Sequence, residues 1–262
     1  MENRWEWLRE GLDRQPGQVS CWYRNLTTGE TFAWQEETVH SSASIIKIYL
    51  MAFLFQKMAE GSLKPEQRIA FSTDHLAPSA GALSYLRDLR ELSLRDLIEL
   101  MIILSDNSAT NILIDLAGMQ EINQYLDRSL ELKYTRLRRR MMDLEAAARG
   151  QDNTTSALET GLILERIRRG TLVSPEASRE MLRILKNQQD DSLIPWFLGE
   201  RWPEHTIAHK TGGLDGVVHD AAIIDIPSEP YILCFFGSQV SVPDYGRFIQ
   251  DAAREIENRR AK

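Results

Sequence analysis

The 262-residue chain has only two cysteines, Cys21 and Cys234. That is too few for a disulfide scaffold, and neither has a second ligand at metal-binding spacing. Both fall in strand-like apolar runs, where a reduced thiol behaves as a small buried hydrophobe. Glycine (15) and proline (9) are sparse, which excludes collagen-like and low-complexity chains. Positive charge is in deficit: 31 Lys and Arg against 38 Asp and Glu give −7. The net field therefore opposes nucleic acid and anionic lipid as partners. Long hydrophobic runs are missing as well. The longest, Ile48 to Phe55, is far below the ~20 residues of a membrane span. The first ten residues alternate charge with aromatics and contain no apolar stretch of the kind a secretory signal needs. The expectation is a cytoplasmic protein, if Met1 is the native start, with no membrane or nucleic-acid partner and no cofactor or metal.

What is present is an ordinary globular composition, 43% hydrophobic and 26% charged, with the length of one large domain or two joined ones. Both ends read as mixed α/β and the middle as helical. Trp5, Leu8 and Leu12 carry helical spacing over 4–14. Val19 to Tyr23 and Thr31 to Trp34 flank a turn-like cluster and give a hairpin signal. From Ile45 to Glu60 the chain is apolar almost all round, the mark of an interior helix. Ser93 and Asp96 form a capping pattern ahead of Leu94, Leu97, Ile98, Met101 and Ile102. Further helices are predicted over 120–128, 156–169 and 175–186. Beyond Pro203 the period becomes that of strands, at Thr206 to His209, Val217 to Ile226 and Tyr231 to Gly237, before a last helix at 244–259. The spacing thus predicts an α/β half from 1–39 and 187–262 and a helical half from 40–186.

Three short motifs carry chemistry. Ser44 and Lys47 lie at the start of the apolar helix, three residues apart and so on one face. A lysine among Ile45, Ile46, Ile48, Tyr49 and Leu50 is desolvated, which favours its neutral form, and a neutral amine beside a hydroxyl can activate it as a nucleophile. The plain alternative is that Ser44 caps the helix and Lys47 reaches the surface; about one Ser-x-x-Lys is expected by chance in such a chain. Ser105-Asp106-Asn107 is rarer, about 0.03 by chance, and sits between two predicted helices, where cap and turn residues are also favoured. Its functional reading has Ser105 relaying a proton to a leaving nitrogen and Asn107 binding a substrate amide. Lys210-Thr211-Gly212-Gly213 reads as a turn after an edge strand, or as an electrostatic partner (Lys210), a carboxylate-binding hydroxyl (Thr211) and an oxyanion-binding N–H (Gly213, with that of Ser44).

Together, in this order and at these separations, the three motifs resemble the signature set of class A β-lactamases and penicillin-binding proteins. The resemblance runs from about residue 18 to the C-terminus. It implies an α/β fold of two subdomains, with an antiparallel sheet flanked by helices from both chain ends and an inserted all-helical subdomain. It also implies acylation of Ser44 by a β-lactam or related amide, followed by release through water. An esterase or peptide amidase on the same scaffold, and a penicillin-binding sensor acylated without turnover, are the alternatives.

The chain departs from that family in the loop that supplies the deacylating glutamate. Here it reads Thr135-Arg136-Leu137-Arg138-Arg139-Arg140-Met141-Met142-Asp143-Leu144-Glu145, with Met141 at the glutamate position. A thioether is no general base, so deacylation is expected to be weak unless Asp143 or Glu145 substitutes. Asn153 stands where the family has an aspartate paired to the loop arginine, here Arg139, and Asp152 is the candidate replacement. On the strand after Lys-Thr-Gly the family often has a carboxylate-binding arginine; this chain offers His219, read either as a strand residue or as a substrate contact. His40, His75, His205 and His209 read as surface or loop residues.

Overall fold

The period-two runs at both ends of the chain become the strands of one sheet. A computed structural model describes residues 4–78, 80–203 and 206–260, and the chain divides into two units.

The first unit comprises Met1–Ile45, Thr155–Glu165 and Asp190–Lys262. Its five-stranded sheet runs Thr31–Trp34, Gln18–Asn25, Tyr231–Ser238, Val217–Ile224, Ile207–Leu214, every neighbour antiparallel. Val19, Cys21 and Tyr23 face one way with Leu233 and Phe235, and pack against Leu8 and Leu12 of the N-terminal helix Glu6–Asp13 and Ile249, Ala252 and Ile256 of the C-terminal helix Val242–Arg260. Alternation places Trp22 and Cys234, a cross-strand pair, on the other face. Cys21 and Cys234 therefore lie on opposite faces, both free and buried. Against Trp22 lies the helix Ala157–Arg168. A Cβ added at Gly161 would come within 2.0 Å of the Trp22 ring, so glycine is what lets this helix approach. Segments 40–45 and 155–165, placed in the helical half by their local pattern, cluster with the sheet.

The second unit, Ile46–Thr154 and Arg166–Gln189, is built round the helix Ile46–Ala59, in which Ile46 through Phe55 are all buried. Around it pack Leu94–Ile103, Asn107–Ala117, Met119–Arg128 and Pro175–Leu185. The predicted cap is present, with the Ser93 hydroxyl accepting from the Asp96 N–H. Pro175 at the first turn and the Ser174 cap fix the start of the last helix, as expected for a residue whose missing N–H is not needed there. Among the described residues no helix is long and apolar enough to cross a membrane.

Candidate active site

Ser44 sits in a single 3₁₀ turn, Ala43–Ile45, that runs directly into the buried helix. From Ser42 to Leu50 it is the one residue not fully buried. Ala43, just before it, has φ +43°, a left-handed conformation that an L-residue holds only when its surroundings enforce it, at a cost of about 1–3 kcal/mol. The enforcing contact is visible. Strand Ile207–Leu214 passes so close that a Cβ on Gly212 would meet Ile45 Cγ1 at 3.0 Å and the Ser42 carbonyl at 3.3 Å. Gly212 thus serves to seat the serine turn against the sheet. Gly213, by contrast, is exposed, and a Cβ there would meet only the Val217 carbonyl, at an ordinary 3.9 Å.

That strand also corrects an expectation. Lys210-Thr211-Gly212-Gly213 is the interior of an edge strand continuing to Leu214, not a turn after one. Lys210 is fully buried, and its Nζ donates to the Thr211 carbonyl at 2.9 Å. Burial lowers its pKa to about 8, against the opposing pull of Asp220 and Asp190.

In the helical unit, Lys47 is fully buried and does not reach the surface. Its Nζ lies 2.6 Å from the Ser105 carbonyl, 3.1 Å from the Ser105 hydroxyl and 2.9 Å from Asn107 Oδ1, all at hydrogen-bond distance. Ser105 presents both oxygens to the lysine and has φ +54°, so this motif serine is itself in the left-handed region. Asp106 holds this turn. One carboxylate oxygen caps the helix Asn107–Ala117 through the Ala109 N–H, and the other accepts from the N–H groups of Ala82 and Leu83. The sequence reading gave this aspartate no separate role, although an Asp one residue before a helix is a recognisable cap.

The loop before residue 154 is clamped by the predicted replacement pair. Arg139, 2% exposed, donates from Nε to Asp152 Oδ1 at 2.8 Å. Asn153 contributes differently, accepting from the N–H groups of Arg138 and Arg139 and donating to the Arg139 carbonyl. Removing the carboxylate leaves a buried guanidinium short of an acceptor. Asp152→Ala is therefore expected to cost about 1–3 kcal/mol, read as a lower urea midpoint with an unchanged slope. Met141 is buried, and Asn111 fixes its backbone by accepting from its N–H and donating to its carbonyl. Asp143 is committed as the cap of the short helix Leu144–Ala148. Glu145 is 91% exposed and pairs loosely with Arg149. Both side chains are exposed to solvent.

His219, read from the sequence as a strand residue or a substrate contact, lies in strand Val217–Ile224. It is fully buried, its Nε2–H donates to the Ser41 carbonyl at 2.7 Å, and its Nδ1 accepts from the Gly237 N–H at 3.2 Å. Both nitrogens are thus used by backbone, and the ring stacks on Phe236. His40 and His209 are buried rather than superficial. His40 lies between the hydroxyls of Ser20 and Ser238. His209 bridges Asp220 and Asp191, which outweigh its burial and raise its pKa to about 9. His75 is half-buried, 3.5 Å from Asp115, and His205 lies outside the described residues.

Burial lowers His219 from 6.5 to about 4, and burial with the nearby His219 lowers His40 to about 3. Both rings are neutral when folded and bind protons more readily when unfolded. Their contribution to stability is complete above pH 6.5 and is lost as pH falls toward those values. His209 has the opposite sign, its contribution complete below pH 6.5 and lost as pH rises through about 9. The denaturant midpoint is expected to fall between pH 6.5 and about 4, and His219→Gln to flatten that fall.

A mixed α/β fold with an antiparallel sheet, carrying Ser44-x-x-Lys47, Ser105-Asp106-Asn107 and Lys210-Thr211-Gly212, defines a class A β-lactamase-like serine hydrolase. The chain belongs to the Beta-lactamase enzyme family, which it matches over residues 4–259. It is 26% identical over 226 residues to a β-lactamase of Streptomyces fradiae, covering 83% of this chain and 72% of that one. With a β-lactamase of Streptomyces albus G it shares 25% over 257 residues, 94% of this chain and 78% of the relative. Among solved structures, PBP-A superposes with a TM-score of 0.86 at 28% identity, covering 98% of this chain and 95% of that one. A substituted form of PBP-A is described as an acyl-enzyme complex with penicillin-G. A β-lactamase from Sphaerobacter thermophilus gives the same TM-score and identity, with 95% of each chain covered.

Proposed function

We propose that this hydrolase works through an acyl-enzyme on Ser44 and releases the acyl group slowly. Lys47 is the base that takes the Ser44 proton, and Ser105 and Lys210 deliver a proton to the leaving nitrogen. Asn107 and Thr211 contact the substrate, and the N–H groups of Ser44 and Gly213 receive the developing oxyanion. The observation that carries this reading is the fully buried Lys47, held by Ser105 and Asn107, on the first helical turn after a half-buried serine. Ala43, next to Ser44 in sequence, and Ser105 itself are non-glycine residues at positive φ, and such strain concentrates at functional sites. The penicillin-G acyl-enzyme of the PBP-A relative supports the chemistry.

Slow release follows from Met141. A positioned general base contributes about 10²–10⁴ in rate, and Met141 supplies none. With nitrocefin the expected course is a burst of one equivalent followed by slow turnover. Steady hydrolysis from the first second, without a burst, would contradict slow deacylation. An adduct that outlasts removal of free β-lactam favours a sensor, whereas faster turnover of p-nitrophenyl esters or D-amino-acid amides than of penicillin favours an esterase or amidase.

A further inference from the structure

Two side chains of this sequence invite a substrate carboxylate, Thr211 and His219, and the protein itself occupies both. The His219 ring spends its N–H on the Ser41 carbonyl and its lone pair on the Gly237 N–H. A threonine hydroxyl has one hydrogen to give, and that of Thr211 goes to Asp190 Oδ2 at 3.1 Å. Asp190 is solvent-exposed but bonded in place: its Oδ1 accepts from the Ser192 hydroxyl at 2.6 Å and the Ser192 N–H at 3.3 Å. Burial would raise its pKa, but the bonds from Ser192 and Thr211 and the charge of His209 outweigh this and hold it below the ordinary value, so it is an anion at neutral pH. The linked groups Lys210, His209, Asp190, Asp191 and Asp220 carry two formal positive charges and three negative.

A carboxylate arriving at Thr211 would meet the oxygen lone pairs of a hydroxyl already donating to a fixed anion. An ester, amide or hydroxyl arriving there carries no like charge and can donate to, or tolerate, the same oxygen. We propose that Asp190 is a specificity-determining positioning residue which, by holding the Thr211 hydroxyl, selects acyl donors that are uncharged at the position where a penicillin carries its carboxylate. This rests on the Ser44 acylation reading, and the test separates the two.

Benzylpenicillin and its methyl ester share one reactive lactam and differ in that single charge. Each is incubated with the full-length protein, and the rate of adduct formation is followed by intact mass, where the two adducts differ by the ester methylene. The wild-type protein is expected to be acylated faster by the ester, by about tenfold, the equivalent of about 1.4 kcal/mol of like-charge discrimination. Asp190→Asn removes the charge and adds an N–H donor, so it is expected to raise the rate with the free acid relative to that with the ester, narrowing or reversing the wild-type ratio. A purely structural role for Asp190 would lower both rates together. Faster wild-type acylation by the free acid, or a substitution that scales both rates equally, overturns the inference and leaves the acyl-enzyme reading intact. Absence of any adduct with both compounds overturns the acyl-enzyme reading and this inference with it. The wild-type ratio decides the matter even if Asp190→Asn folds poorly.

Discussion

Lys47→Met is expected to slow acylation of Ser44 by about 10²–10⁴, the range a positioned general base contributes. Methionine fills a similar volume with no proton-accepting nitrogen. In the structure Lys47 Nζ bonds to the Ser105 carbonyl, the Ser105 hydroxyl and Asn107 Oδ1, so it organises the second motif. The loss should therefore exceed what an unconnected base would give. Because two of its acceptors, the Ser105 carbonyl and Asn107 Oδ1, would be left unmatched, some stability is lost too, about 1–3 kcal/mol for a buried unsatisfied group. A thermal melt run beside the adduct time course distinguishes a slowed enzyme from an unfolded one. A folded Lys47→Met variant acylated at the wild-type rate would remove Lys47 from the mechanism.

The second large effect runs the other way. Met141→Glu is expected to accelerate release of the acyl group by about 10²–10⁴, turning the nitrocefin burst into sustained turnover. The loop is prepared for it: Asn111 grips the backbone of residue 141 from both sides, and the Arg139–Asp152 pair anchors the segment just before it. The native side chain there is 7% exposed, so a glutamate would be partly desolvated and its pKa raised toward the range of a useful base. Asp143→Ala and Glu145→Ala are the matched controls, expected to leave release unchanged because a helix cap and a solvated surface carboxylate take no part in it. If Met141→Glu still acylates but releases no faster, the register assigned to the loop is wrong.

Much of the candidate site was legible because its chemistry is encoded in short motifs. Ser44 with Lys47, Ser105 with Asn107, and Lys210 with Thr211 each stand within a few residues of one another, and helical or strand spacing puts them on the right elements. The capping residue Ser93 and the all-apolar helix were equally local signals. What local pattern missed are contacts between distant segments. The helix containing Gly161 belongs with the sheet because that glycine fits the Trp22 ring, 139 positions away in sequence by subtraction of the two numbers. His219 looked available for substrate because nothing near it in sequence announces that Ser41 and Gly237 take both its nitrogens. His209 looked superficial because Asp220 and Asp191, which bury its charge, come from the neighbouring strand and from a loop. Asp190 was missed for the same reason, being 21 residues from the hydroxyl it holds. Asp106 is the exception, a local cap signal passed over because the motif drew attention to the residues on either side.

Every step proposed above depends on a covalent bond to Ser44, and peptide mapping after brief exposure to benzylpenicillin detects that bond. The expected result is a single β-lactam adduct on the peptide containing Ser44, present in the wild-type protein and absent from Ser44→Ala. An unmodified wild-type protein, or the same adduct in Ser44→Ala, would contradict it.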